Sequence, residues 1–256
     1  MIFSQKIGEA RKGHVILVHG LGEHFRRHQR LIDRLKKDGY KVHTFDWPGH
    51  GKSANKRGQA SIQETLEIID EMVDNIDEKP FLFGHSLGGL TVLRYAEKDP
   101  SKISGVISSS PALQRSKDMS PITIKVLSLL SYPLPWATVS NGIDVNDLSR
   151  CEKAKQRYRR DSLVHQRISL KLARDLFHHM KKVHEEKNNL DVPLLLLTGT
   201  KDKITPVEGS KKFIKNLELQ DKKLREFDGA YHEIFNDPKC NDEFHQEILD
   251  WLHQRS

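Results

Sequence analysis

Ser86 sits at the centre of Gly84-His85-Ser86-Leu87-Gly88-Gly89, a G-x-S-x-G pattern whose glycines let backbones approach closely while the serine is held outward on a tight turn. An apolar run over 80–83 leads into the turn, and a helical pattern leads out of it to about residue 98. That setting suits a nucleophile. A serine hydroxyl attacks poorly at neutral pH unless a base takes its proton and a third group orients the base. Two later residues stand where strands should end, the edge at which open α/β sheets carry their chemistry. Asp202 follows the apolar run 194–197 within Gly199-Thr200-Lys201-Asp202, and His232 follows the expected last strand within Ala230-Tyr231-His232-Glu233. The chain holds 14 histidines, so residue type alone singles out none of them. Position does: His245 and His253 fall in the terminal helical pattern and His178-His179 in a middle helical region, which leaves His232 as the expected base. Asp202 by itself reads as a turn residue capping the next helix; beside Ser86 and His232 it reads as the orienting acid.

Attack on a carbonyl creates an oxyanion, which backbone amides can hold. The Leu87 amide, just after the nucleophile, is one expected donor. Leu21, in the glycine loop His19-Gly20-Leu21-Gly22, is the other; the competing reading of that loop is a plain turn. Two further patterns point to no chemistry. Gly49-His50-Gly51-Lys52-Ser53 ends like a phosphate-binding loop, but Asp46 stands where such a loop needs its first glycine. His14, His19, His24 and His28 fit no common zinc spacing and the sequence has no H-E-x-x-H, so no catalytic metal is expected.

The elements that must position these residues follow from hydrophobic period. Strands are expected at 14–18, 41–46, 80–83, 103–107, 192–198 and 224–227, alternating with helical stretches in the manner of a parallel sheet with crossovers. One helix runs over 28–38 with Leu31, Ile32 and Leu35 on one face, and stops at Gly39. Another opens at Ser61-x-x-Glu64, a capping box, and continues to about residue 76. Thr205-Pro206-x-Glu208 supplies cap, proline and acid for a further helix, and 242–253 forms the last. Between Pro111 and Glu186 the regular alternation fails: the pattern is mainly helical, Pro133 and Pro135 break it, and no convincing strand occurs. That is too long for one crossover. The expected organisation is a core in two parts, 1–111 and 187–256, with a helical cap inserted over 112–186. Val126-Leu127-x-Leu129-Leu130 and Trp136 would give the cap an apolar face, unless they pack down on the core.

A chain of 256 residues with 36% hydrophobic side chains suits one well-buried core. Cys151 and Cys240 are far apart and read as free thiols. The +7 net charge is spread among acidic residues and accompanies no nucleic-acid motif, so a mixed solvated surface is expected and no nucleic-acid partner. The first twelve residues lack the apolar stretch of a secretory signal, and no run approaches the ~18 apolar residues of a span. The expectation is a soluble cytoplasmic protein without an obligate protein partner, touching membranes transiently, if at all, through Leu134 and Trp136 of the cap.

His19-Gly20-Leu21-Gly22-Glu23-His24, Asp46-Trp47-Pro48-Gly49-His50-Gly51-Lys52-Ser53, Gly84-His85-Ser86-Leu87-Gly88-Gly89, Gly199-Thr200-Lys201-Asp202 and Tyr231-His232-Glu233 together resemble the monoacylglycerol lipases and lysophospholipase-like hydrolases of the α/β-hydrolase superfamily. The likeness runs from about Gly13 to the C-terminus. It implies an α/β-hydrolase fold, a mostly parallel central sheet flanked by helices with an inserted cap, no cofactor, and a lipid ester with one acyl chain as substrate. The chain departs from the family after Gly22-Glu23-His24, where Phe25-Arg26-Arg27-His28 replaces the common S-G-R-Y, and at Ser162, where proline is common. Both departures touch loop shape and cap geometry and leave Ser86, Asp202 and His232 alone. The reaction expected is hydrolysis of monoacylglycerol to fatty acid and glycerol through an acyl-enzyme. Its rivals are a short- or medium-chain carboxylesterase or lysophospholipase on the same triad, and a lipid-binding scaffold that keeps the fold without the chemistry.

Overall fold

Strands dominated by apolar residues, such as His14–Val18 (β2), Phe81–His85 (β4) and Leu194–Gly199 (β8), need cover on both faces. The structure, a computed structural model, describes residues 1–116 and 120–256, and of residues 121–124 and 127 the backbone alone. Among the described residues the main sheet has seven strands, in the order β1 (Ser4–Ile7), β3 (Lys41–Phe45), β2, β4, β5 (Gly105–Ser109), β8 and β9 (Lys222–Phe227). Every neighbouring pair is parallel except β1 with β3. The antiparallel edge strand β1 is an addition to the expected set; its sequence, Ser-Gln-Lys-Ile, is too short and polar to announce itself.

Alternate side chains of the central strands feed two cores. Val15, Leu17, Phe81, Phe83, Leu195 and Leu197 join one, against α1 (Gln29–Asp38) and α9 (Asn241–His253). Ile16, Val18, Leu82, Leu194 and Leu196 join the other, against α2 (Ile62–Asp74), α3 (Leu87–Lys98) and α8 (Val207–Asn216). Helix α3 is buried from Leu87 to Glu97, so the element behind the Ser86 turn is enclosed on all sides. Gly39 ends α1 at φ 100°, in the left-handed form expected of it.

Two expected helix starts need correction. Ser61 does occupy the N-cap of α2, but its hydroxyl donates to Asp175 Oδ2 at 3.1 Å and caps no amide, so no capping box forms there. The N-cap of α8 is Pro206, not Thr205, whose side chain is engaged elsewhere.

Between β5 and β8 the chain forms α4 (Pro121–Leu130), α5 (Val145–Leu148), α6 (Glu152–Arg160) and α7 (Leu170–Glu185). It also forms an antiparallel ribbon of β6 (Thr138–Ser140) and β7 (Arg167–Ser169), which corrects the expectation of no strand in this region. Three residues give alternation no room to register, and the partners lie about thirty positions apart in sequence, as with Thr138 and Ser169. Helix α7 packs Leu172, Ala173 and Val183 into the main core. Val126, Leu129, Leu130, Leu134 and Trp136 instead face outward, Leu129 and Trp136 being 62% and 61% exposed, while the Leu127 side chain lies outside the described residues. Among the described residues no helix is long and apolar enough to cross a membrane.

Candidate active site

Strand β4 ends at His85 and α3 begins at Leu87, which leaves Ser86 alone to turn the chain, at φ 55° and ψ −114°. L-residues rarely adopt this conformation, and where they do a site is often the reason. The turn closes because Gly84 and Gly88 have no side chain: a Cβ on Gly84 would lie 2.3 Å from the Gly88 carbonyl oxygen, and one on Gly88 2.3 Å from that of Val18. Strand β5 steadies the turn, the Ser86 amide donating to the Ser109 carbonyl at 2.9 Å and the Ala112 amide to the Ser86 carbonyl at 3.2 Å.

His232 lies on the loop after β9, buried, with Nδ1 2.8 Å from Asp202 Oδ2 on the loop after β8. Asp202 is fully supplied with donors. Its Oδ1 accepts the Ile204 and Thr205 amides, each at 2.9 Å, and its Oδ2 accepts the Thr205 hydroxyl at 2.7 Å. Burial by itself would lower the His232 pKa, but the adjacent Asp202 carboxylate, helped by Glu233 and Glu23, outweighs it and holds the imidazole above its ordinary 6.5. The His85 ring, its centroid 4.8 Å from that of His232, is by contrast held well below the usual imidazole range, by burial first and by His232 second.

A second buried network joins the glycine loop to the histidine loop. Glu23 accepts the Gly20 amide at 2.6 Å and Arg27 Nε at 3.1 Å; Arg27 Nη2 donates to Glu233 Oε1 at 2.5 Å. The guanidinium also lies 4.6 Å from the Tyr158 ring centroid on α6. Burial pushes the Glu23 carboxyl up, yet His28, His85 and Arg27 together hold it well below the usual carboxylate range. Removing one partner from such a buried set costs about 3–5 kcal/mol, so the loops bearing Leu21 and His232 are held together firmly. Glu23 and Glu233 lie within the sequence motifs, yet nothing local marks a role for either. Arg27 and Glu233 are 206 positions apart, and the one signal for the pairing is that each carries charge beside a candidate site motif.

The expected residues therefore converge. Leu21, Ser86 and Leu87 line a cavity of about 390 Å³ whose other walls include Ala112, Ile143, Leu176, Phe177, Met180 and Ile204. A small recess beside it is lined by Leu21, Ser86, Tyr158, His232 and Glu233, and Asp202 stands behind His232. Leu87 is the first residue of α3, where an N–H has no intrahelical acceptor.

The other motifs go elsewhere. The Gly49–Ser53 loop wraps the carboxylate of Asp46, whose Oδ2 accepts the Lys52 amide at 2.8 Å, so the anion it encloses is the protein's own. The four early histidines separate: His14 meets His43, His19 accepts the Trp47 amide, His24 meets Asp161, and His28 meets Glu23. Among the described residues no three histidine, cysteine or acidic side chains gather as a metal site requires.

The family model described as serine aminopeptidase, S33 (Hydrolase_4) matches residues 9–239. The crystal structure of the Paleococcus ferrophilus monoacylglycerol lipase is 48% identical, with a TM-score of 0.98 and 100% of both chains covered. The monoacylglycerol lipase of Mycolicibacterium smegmatis is 30% identical over 237 residues, 89% of this chain and 84% of that protein. An uncharacterized abhydrolase domain-containing protein of Dictyostelium discoideum is 32% identical over 246 residues, 94% of this chain but 26% of that much longer protein.

Proposed function

The chain belongs to the serine aminopeptidase, S33 (Hydrolase_4) family, and on that premise we propose that it hydrolyses the ester bond of monoacylglycerols, with Ser86 as nucleophile, His232 as base and Asp202 as orienting acid. The observation that carries this reading is the buried 2.8 Å bond between His232 and Asp202, beside a cavity that Ser86 enters from a turn at positive φ. His232 Nε2 takes the Ser86 proton as Oγ attacks the ester carbonyl, and Asp202 accepts from Nδ1–H and stabilises the imidazolium. The Leu21 and Leu87 amides hold the oxyanion. Glycerol leaves with the proton from Nε2. Water, deprotonated by the same nitrogen, then attacks the acyl-enzyme and releases the fatty acid. The apolar walls at Leu176, Phe177, Met180 and Ile204 suit an acyl chain, and no step needs a cofactor.

The region 112–186 acts as a cap over this cavity, supplying Ile143, Leu176, Phe177 and Met180 to its wall. The protein works in the cytoplasm and meets lipid surfaces transiently through the exposed Leu134 and Trp136, which are 43% and 61% accessible.

Initial rates on long-chain monoacylglycerol, lysophosphatidylcholine, p-nitrophenyl butyrate and an amino-acid p-nitroanilide, for wild type and Ser86→Ala, test the assignment. Preference for monoacylglycerol is expected, with a loss of roughly 10⁴- to 10⁶-fold in the variant. A loss below tenfold sinks the nucleophile; butyrate-only or anilide-only turnover keeps the triad and moves the substrate to short esters or peptides.

A further inference from the structure

Ser110, the residue after β5, has φ 43°, a left-handed conformation that favours glycine, and is buried between the strands that carry Ser86 and Asp202. Two of its polar groups donate hydrogen bonds, and its carbonyl stands beside the Thr205 hydroxyl. The amide donates to the Leu197 carbonyl at 2.7 Å, the hydroxyl donates to the His232 carbonyl at 2.8 Å, and the carbonyl lies 3.0 Å from the Thr205 hydroxyl. That hydroxyl has one proton and three neighbours: Ser110 O, Asp202 Oδ2 at 2.7 Å and His232 Nδ1 at 3.1 Å. The carboxylate is the nearest and the charged acceptor, so the proton goes to Asp202, and the oxygen's lone pairs face the His232 Nδ1–H.

We propose that Thr205 and Ser110 are positioning residues for the reaction: Thr205 fixes the orientation of the Asp202 carboxylate and shares its charge away from His232, while Ser110 anchors the His232 backbone to the end of β5. The proposal rests on the triad reading given above. Thr205 does this with the hydroxyl that a helix-start pattern would have used as a cap, and Ser110 adopts a strained backbone that puts its hydroxyl and carbonyl on two different loops at once.

Thr205→Val keeps the shape and deletes the hydroxyl. Asp202 Oδ2 is left with the His232 Nδ1–H as its only donor, so its charge bears more fully on the imidazolium while its orientation loosens. On monoacylglycerol, kcat should fall roughly 10- to 100-fold with KM unchanged, since loss of the aligned carboxylate, and with it of the imidazole, outweighs the stronger attraction for the imidazolium. The acid limb of kcat/KM should move to higher pH. That limb belongs to His232, which is faced by Asp202, Glu233, Glu23 and the His85 ring. Thr205→Ser, which restores the hydroxyl, should recover most of kcat and return the limb.

Ser110→Ala serves as the second variant: it removes only the anchor on the His232 carbonyl, so kcat should fall while the limb stays in place. A Val variant with wild-type kcat and limb, a Ser variant no better than Val, or an Ala variant with undiminished kcat overturns the proposal. Stoichiometric labelling of wild-type Ser86 by a fluorophosphonate, read by mass spectrometry, is the separate control. Its absence would mean that the triad reading itself has failed, whatever the Thr205 variants do.

Discussion

Replacing Asp202 by asparagine tests the proposed triad by removing the charge behind His232. The side chain is fully enclosed, keeps its size, and loses one unit of charge beside an imidazole whose Nδ1 is 2.8 Å away. At a charge separation of about 4 Å and an effective dielectric constant near 20, the lost attraction for the imidazolium formed in the transition state is about 4 kcal/mol. That corresponds to roughly 10³-fold in kcat. A second effect has the same sign. An asparagine NH₂ placed at the Oδ2 position donates to Nδ1, which forces the ring proton onto Nε2, the nitrogen that must accept from Ser86. The assay is the pH dependence of kcat/KM on monoacylglycerol between pH 5 and 9. In wild type the base must be neutral, so activity falls with acidity through a pKa above 6.5, the direction in which Asp202 moves it. In Asp202→Asn the plateau drops and the acid limb shifts downward, opposite to the shift expected for Thr205→Val. A plateau within tenfold of wild type, with the limb unmoved, would refute the role given to Asp202.

The remaining predictions concern acid stability and surface binding. His43, His165 and His245 are each lowered to about 4, in every case chiefly by burial, so the unfolded chain binds their protons first, from 6.5 downward. Stability should therefore decline as pH falls from about 6.5 toward 4, and His43→Gln should flatten the slope of urea-unfolding free energy against pH; an unchanged slope removes His43 from the account. Flotation with neutral phospholipid vesicles should carry wild type upward, and Leu134→Ser with Trp136→Ser should reduce the floated fraction several-fold; wild type staying at the bottom rules out contact through these residues.

Much of the architecture was legible because its signals are local. The runs at 15–18 and 194–197 are apolar throughout, as a strand covered on both faces requires, and the order strand, Gly-His-Ser-Leu-Gly, helix fixes where the Ser86 turn falls. Asp202 and His232 could be singled out since each follows a strand, and the structure brings them within 2.8 Å. What escaped depends on distant partners. Nothing near Arg27 announces Glu233, and nothing near Ser110 announces the His232 carbonyl 122 positions on. Ser61 and Thr205 were read as caps because both fit the local pattern; their hydroxyls serve Asp175 and Asp202, and a local pattern cannot register that competition. The β6–β7 ribbon and β1 were missed for brevity: three or four residues carry too few positions to distinguish a period of two.

The backbone of Ser86 bears on how such a protein can change over generations. A non-glycine residue at φ 55° and ψ −114° costs about 1–3 kcal/mol. Net folding stability is only about 5–15 kcal/mol, so this one turn offsets an appreciable part of it. Folding and turnover therefore pull on residue 86 in opposite directions, and a population screened only for thermal survival should drift toward glycine there, becoming sturdier and inert.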